Sequence, residues 1–230
     1  MIPLKDDNPT SKFPFITVIL ISLNVIVFIY TDILGLGGET LMLHYSLIPY
    51  NIVTFGQWTD SGPLTAVSTF FTSQFIHGGF LHLAGNMLFL WIFGNNIEDR
   101  LGTTKYAIFY LSCGAIAAAA QIIPDPNSQI PMIGASGAIA GVMGAYLLEF
   151  PRARVLTLFW ILFFVRLIWL PAYVIILYWA ALQVFLQLSS GGQVGGVAYM
   201  AHIGGLIAGM ALFKLMMLFG GRKTTLWSEN

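Results

Sequence analysis

Charge is what this chain of 230 residues has least of: Asp, Glu, Lys and Arg together make up 9% of it. A water-soluble domain carries about 25%, so there is too little charge here to cover a surface facing water. With 57% hydrophobic residues and a mean hydropathy of +0.79, the shortage places the chain in a membrane. The ten basic and ten acidic residues cancel, which argues against a nucleic-acid partner, whose backbone calls for an excess of positive charge. Cysteine occurs once, as Cys113 within an apolar run. That excludes an intramolecular disulfide framework and suggests no cysteine-based metal site; neither a metal nor a cofactor is expected. Internal repeats, low-complexity linkers and a second domain are also missing. A cleavable signal is not expected either, because the first apolar run follows Lys5, Asp6, Asp7 and Lys12 and is long enough to span a bilayer.

Long apolar runs are what the sequence has in abundance. Runs of about 20 residues occur at Phe13–Leu34, Phe80–Ile97, Lys105–Ile123, Ala135–Phe150, Pro171–Leu188 and Val197–Phe219. The fourth is short, which suits a helix that starts below the membrane surface inside a ring of others. The stretch Val155–Leu170 is apolar and aromatic, but Arg166 interrupts it and Pro171 follows; it reads as a bent or interfacial approach to the fifth span. The expected fold is an all-α polytopic membrane bundle of six transmembrane helices.

The basic residues decide the orientation. Lys5 and Lys12 precede span one, Arg100 and Lys105 lie between spans two and three, and Arg152, Arg154 and Arg166 lie between spans four and five. Lys214, Arg222 and Lys223 are at the C-terminal end. With six spans all of these fall on one side, while the other connections carry Asp32, Glu39, Asp60 and Asp125. By the positive-inside rule both termini are cytoplasmic. Residues 1–12 are then expected as a cytoplasmic tail, 13–219 as the membrane domain and 220–230 as a second cytoplasmic tail. The 1–2 connection, about residues 35–79, lies outside. Its Trp58, Phe70, Phe71 and Phe75 make it too apolar for a free linker. It is expected to fold back on the interface as amphipathic segments do, either as a packed external loop or as a guide for substrate.

Spans two, four and six all begin on the outer side, and each carries polar residues there. His82 and Asn86 lie near the start of span two, Ser136 at the start of span four and His202 a little way into span six. At about 1.5 Å per residue these groups share a depth on the order of 5–10 Å below the outer surface. His82 and Asn86 are four apart and share a helix face, which suits interhelical hydrogen bonding as well as a site. Ser136 stands in Gly134-Ala135-Ser136-Gly137, and small residues of that kind also occur simply at helix contacts. The ridge Gly137, Gly141, Ala145 is matched by Gly205 and Gly209, three and seven residues after His202. Two such ridges let helices four and six touch and bring Ser136 and His202 within hydrogen-bonding reach.

The residue types then define a chemistry. A serine hydroxyl is a poor nucleophile without an adjacent base, and imidazole suits that task near neutral pH. No carboxylate lies at this depth, so Ser136 and His202 form a dyad rather than a triad. A tetrahedral oxyanion needs fixed donors. The Ser136 N–H at a helix start, Asn86 and His82 are the candidates. Gly134 and Gly137 leave a substrate backbone room to approach.

The motifs His77-Gly-Gly-Phe-Leu-His82-Leu-Ala-Gly-Asn86, Gly94-Asn-Asn-Ile-Glu98-Asp-Arg100-Leu-Gly102, Gly134-Ala-Ser136-Gly137 and Ala201-His202-Ile-Gly-Gly205-Leu-Ile-Ala-Gly209, in this order and spacing, resemble those of the rhomboid intramembrane serine proteases. The resemblance covers about residues 13–219. It implies Ser136 as nucleophile, His202 as general base, His82 and Asn86 as the oxyanion hole, and His77 as a supporting residue. It also implies structural roles for Glu98 and Arg100 near the cytoplasmic end of span two. Two departures stand out. Ser68-Thr69 occupies the place of a Trp-Arg pair that some members have in the 1–2 loop. Ala140 stands where some members place an aromatic residue that packs on the catalytic histidine.

The expectation is therefore an endopeptidase that hydrolyses transmembrane proteins near the outer face through an acyl-enzyme. Span five and the connection Ser189–Gly196 would gate access. Its partners would be single-span substrates with small residues at the cut, and membrane lipids. The alternative is a non-proteolytic relative that binds or escorts membrane proteins; a small transporter would instead need polar groups through the full membrane thickness. The compact chain, with no targeting presequence, suits a bacterial or archaeal cytoplasmic membrane.

Overall fold

Helix α7 (Ser136–Glu149) stands at the centre of the molecule, and every residue from Gly137 to Tyr146 is buried. A helix that is apolar all round has to be enclosed. In the computed structural model, which describes residues 1–161, 163–190 and 197–219, four helices enclose it. They are α5 (Phe80–Leu101), α6 (Thr103–Ile122), α8 (Ala172–Ser190) and α9 (Tyr199–Leu218). Helix α1 (Phe15–Phe28), prolonged by a π turn over Ile29–Ile33, packs outside them against α5.

These six helices coincide with the six apolar runs, and the molecule is mostly helical. Among the described residues four segments are long and apolar enough to cross a bilayer unaided: Phe15–Ile33, Thr103–Ile122, Ala172–Ser189 and Tyr199–Leu218. Helix α5 meets the same criterion only together with Gly62–Phe75, to which it is bent by 81°. That bend is made at Gly78-Gly79, and Gly79 has φ +149°, a conformation few other residues adopt. With 14 residues, α7 is only about 21 Å long, short of a hydrocarbon core of about 30 Å. The connection before α5 folds into α2 (Gly38–Tyr45), α3 (Pro49–Val53), α4 (Gly62–Thr72) and a 3₁₀ turn (Ser73–Phe75). Among the described residues, the hydroxyls of Ser68 and Thr69 donate within α4, to the carbonyls of Thr65 and Ala66. Other contacts hold this connection. Leu47 exchanges backbone hydrogen bonds with Met132 (3.1 and 2.8 Å), and the Thr72 hydroxyl donates to the Tyr45 carbonyl at 2.8 Å.

The stretch Val155–Leu170 departs from expectation. It is a β-hairpin of β2 (Arg154–Ile161) and β3 (Phe164–Pro171), whose second strand runs directly into α8. Residues 2–6, within the expected tail, add β1 (Ile2–Asp6) to make an antiparallel sheet in the order β1-β2-β3. The alternation Val155, Thr157 inward against Leu156, Leu158, Trp160 outward is a period of two. In a run so uniformly apolar that period is hidden, because both faces are hydrophobic. The connection expected to gate access includes residues 191–196. These lie outside the described residues, as do residues 220–230 of the expected C-terminal tail.

Polar side chains close the end of the bundle away from Ser136. The buried Glu98 carboxylate accepts the N–H groups of Ile16 and Thr17 (both 2.8 Å) and the Thr17 hydroxyl (2.9 Å), capping the start of α1. Asp99 accepts from the Ser11 N–H and hydroxyl, and Arg100 pairs with Glu149 at 2.5 Å, tying α5 to the end of α7. The Tyr146 hydroxyl donates to Asp6 at 2.8 Å and so docks β1 on the helix.

Two outcomes follow. Glu98→Ala strands three donors and should lower unfolding free energy by about 3–5 kcal/mol, with Glu98→Gln losing less, as measured by thermal and denaturant unfolding in detergent. Burial pushes the Asp6 carboxyl up to about 6 from 3.8. Its folded value exceeds its unfolded one, so the stabilisation is present in full below about pH 4 and is lost as pH rises through about 6. Between pH 4 and 6.5 the melting temperature of Asp6→Asn should therefore fall less with rising pH than that of the wild type.

Candidate active site

The loop into α7 is shaped by Gly134. Its φ of +114° is accessible to glycine, and its N–H donates to the Ser73 carbonyl at 2.9 Å. A Cβ at this position would lie 2.8 Å from Cε1 and Nε2 of His82, so any side chain here would collide with the imidazole. Two residues later Ser136 opens α7 at its first helical position, with no side chain capping the helix. Its N–H has no intrahelical acceptor and stands at the positive end of the helix dipole.

Helix α9 lies directly against α7. The place of a Cβ on Gly209 is taken by the carbonyl of Gly141, that of a Cβ on Gly205 by the carbonyl of Gly137, and that of a Cβ on Gly144 by the carbonyl of Leu206. The two backbones therefore touch over several turns, as the glycine ridges anticipate, and Gly144 extends the ridge. Helix α6 fits into the same seam: a Cβ on Gly137 would lie 2.7 Å from that of Ala117. Thus α6 and α9 take up much of the room that Gly137 leaves.

This contact brings the Ser136 hydroxyl to 2.8 Å from Nε2 of the buried His202. The other imidazole nitrogen, Nδ1, is 2.7 Å from Oε1 of Gln183 on α8. The Gln183 Nε2 donates to the Trp179 carbonyl at 3.3 Å, so the amide is oriented with its oxygen toward the histidine. An amide oxygen only accepts, so Nδ1 carries the proton, and Nε2 is left bare to accept the Ser136 hydroxyl. The Trp179 ring lies over His202 with centroids 5.4 Å apart. An aromatic neighbour that α7 lacks at Ala140 is thus supplied by α8. From α6, Gln121 accepts the Ala201 N–H at 3.1 Å and holds the first turn of α9.

Ser136, His202, His82, Asn86, Gly134 and Trp179 line one cavity of about 600 Å³. The Gly78 N–H makes a long hydrogen bond (3.5 Å) to Nδ1 of His82, which leaves the His82 Nε2 as the N–H that faces Gly134. The Nδ2 of Asn86 is buried and has no hydrogen-bond partner among the described residues. His77, 2% exposed, does not line the cavity; its ring meets that of His82 edge-on with centroids 5.0 Å apart. The geometry brings Ser136, His202, His82, Asn86, Gly134 and Gly137 to one cavity, with His77 behind the His82 ring. It adds Gln183, Trp179 and Gln121. A signal for the first two was present: Gln183 is a lone polar residue in the apolar run Ala181-Leu182-Gln183-Val184-Phe185, on the same face as Trp179 four residues earlier.

A family model of the Rhomboid domain matches residues 65–219. The chain is similar to Rhomboid protease GluP of Bacillus subtilis, 28% identical over 197 residues, which cover 85% of this chain and 34% of the relative. It is similar to Rhomboid protein 1, mitochondrial, of Saccharomyces cerevisiae, 26% identical over 193 residues, 73% of this chain and 51% of the relative. A third relative is the human Presenilin-associated rhomboid-like protein, mitochondrial, 28% identical over 164 residues, 68% of this chain and 40% of the relative. The chain belongs to the rhomboid family and is an integral membrane protein. It spans about a third to a half of the length of these relatives.

The seam between α7 and α9 is testable without an assay of function. Gly209→Ala presses a methyl group on the Gly141 carbonyl and should destabilise the fold by about 1–3 kcal/mol. Gly85→Ala, inside α5 at a cavity-lining position with open space for a Cβ, should not lower the melting temperature in the same detergent.

Proposed function

We propose that this rhomboid-family chain is an intramembrane serine endopeptidase whose nucleophile is Ser136 and whose general base is His202. The single observation that carries the reading is the 2.8 Å contact between the Ser136 hydroxyl and a histidine nitrogen left bare by the Gln183 bond. The family supports it: one relative is named a rhomboid protease.

In this reading the Ser136 oxygen attacks the carbonyl carbon of a substrate peptide bond while its proton passes to Nε2 of His202. The carbonyl oxygen becomes an oxyanion, met by the Ser136 N–H, the Asn86 amide and the His82 Nε2–H. The unpartnered Asn86 Nδ2 supports that assignment, since a buried donor is costly to leave idle. Collapse of the intermediate breaks the C–N bond, and His202 returns the proton to the leaving amine. Water then adds to the acyl-enzyme by the same route, with His202 taking its proton and Ser136 leaving. Gly134 keeps space beside the His82 imidazole, and His77 backs that ring.

The substrates we propose are single-span membrane proteins with small, helix-breaking residues at the cut, because an intact helix hides its peptide bonds. We place the site near the outer face of a six-span membrane domain over residues 13–219. The basic connections and both terminal segments (1–12 and 220–230) are cytoplasmic, with the connection 35–79 outside, as the distribution of Lys and Arg requires. The membrane in this proposal is a bacterial or archaeal cytoplasmic membrane.

Purified protein in detergent or liposomes should cleave a transmembrane substrate and be labelled at Ser136 by a fluorophosphonate. Ser136→Ala and His202→Ala should each abolish both, and Asn86→Ala should lower kcat by about 10²–10³-fold. Cleavage that survives the Ser136 and His202 substitutions would refute the dyad. Full retention of the four residues with no labelling at all would favour a binding or escorting protein instead.

A further inference from the structure

Helix α8 is the least embedded of the helices around the site, and Gln183 is an exception within it. Ala181, Leu182, Val184 and Phe185 are exposed on the flank of the bundle, whereas Gln183 is 5% exposed and turned inward. A primary amide inside an apolar helix is costly to bury and is kept where it has a partner. Here both of its ends are engaged. The Nε2 bonds back to the Trp179 carbonyl one turn earlier, and Oε1 receives the His202 Nδ1–H at 2.7 Å.

We propose that Gln183 is a positioning residue of the reaction, the third member of a Ser136–His202–Gln183 chain. This rests on the protease reading above. Three effects follow from the geometry. The bond to Oε1 selects the histidine tautomer with the proton on Nδ1, the only neutral form in which Nε2 can take the serine proton. Together with the Trp179 ring it fixes the rotation of the imidazole about its Cβ–Cγ bond, so that Nε2 points at Ser136. When Nε2 receives the Ser136 proton the imidazole becomes a cation, and its Nδ1–H···Oε1 bond strengthens, because a charged donor bonds more strongly than a neutral one. The proton then leaves from Nε2 to the amine nitrogen; Gln183 neither gains nor loses one. The amide thus does by its dipole what a carboxylate does by its charge.

The competing role is adhesion: Gln183 and His202 as a bond between α8 and α9 with no bearing on chemistry. Gln183→Leu, which keeps the volume and removes the acceptor, separates the two when read alongside Gln183→Glu, which restores an acceptor. If Gln183 positions the base, Gln183→Leu should lower kcat for cleavage about 10- to 100-fold, with KM within about twofold and the melting temperature little changed. Gln183→Glu should recover part of that loss. The tautomer gives a readout that adhesion would not move. The chain has four histidines, so ¹⁵N-histidine labelling, with His202 assigned by its substitution, resolves the ring. In wild-type protein His202 should carry its proton on Nδ1, and in Gln183→Leu the Nε2–H form should appear.

A kcat for Gln183→Leu within twofold of wild type overturns the proposal. So does a kcat loss that tracks a fall in melting temperature with the tautomer unchanged. Wild-type protein that neither cleaves nor labels at Ser136 overturns the protease reading and this role with it, whereas active wild-type and equally active Gln183→Leu overturn the role of Gln183 alone.

Discussion

Everything at the candidate site depends on one contact, the meeting of two helix backbones with no side chain between them. Gly209 and Gly205 of α9 rest on carbonyl oxygens of α7, and Gly144 of α7 rests on one of α9. In a bilayer the hydrophobic effect does not drive helices together, because lipid tails are as apolar as leucine; close van der Waals packing does. Ser136 is one residue from Gly137, and His202 is three from Gly205. Their relative depth is therefore set by rigid backbone and not by long, mobile side chains. A serine has the shortest hydroxyl side chain, and it bridges to histidine at 2.8 Å only because the axes are already close.

The short central helix is also held at both ends. At its start the Gly134 N–H is tied to Ser73, and the loop before it to Leu47 through Met132. At its finish Glu149 is paired with Arg100, and Tyr146 with Asp6. Between these anchors lies only apolar packing, including Phe93 edge-on to Tyr146 at 5.0 Å. Polarity is confined to the two ends of α7, so Ser136 lies on the segment with the least freedom to drift. The Glu98 carboxylate adds a second layer, since by capping α1 it fixes the helix that braces α5, and α5 carries His82 and Asn86.

Much of this was legible in the sequence, and what was not has identifiable physical causes. Apolar runs located the six helices of the bundle, and paired glycines four residues apart pointed to the α7–α9 seam, because both signals are local and periodic. The sheet escaped detection. Val155–Leu170 is hydrophobic on both faces, so alternation leaves no trace in polarity, and β1 pairs with it across about 150 residues of chain. Gln183 was passed over for a different reason. A glutamine in an apolar helix has no motif around it, and only the folded helix shows that Gln183, and not its neighbours, faces the histidine.

That neutral partner follows from the setting. A buried carboxylate would stabilise an imidazolium strongly, but it would remain charged between turnovers in a region that solvates ions poorly. It would also pull a proton onto His202 in the resting state, occupying the lone pair that the serine proton needs. An amide avoids both. Its carbonyl dipole accepts the Nδ1–H firmly enough to hold the tautomer, yet carries no net charge to desolvate. The same logic explains the Trp179 ring: it packs against the imidazole, tilted to it, as an apolar surface that orients without titrating. In the proposed reaction, a site built from a serine, histidines and amides, with its carboxylates kept at the far end of α7, gains charge without carrying charge at rest.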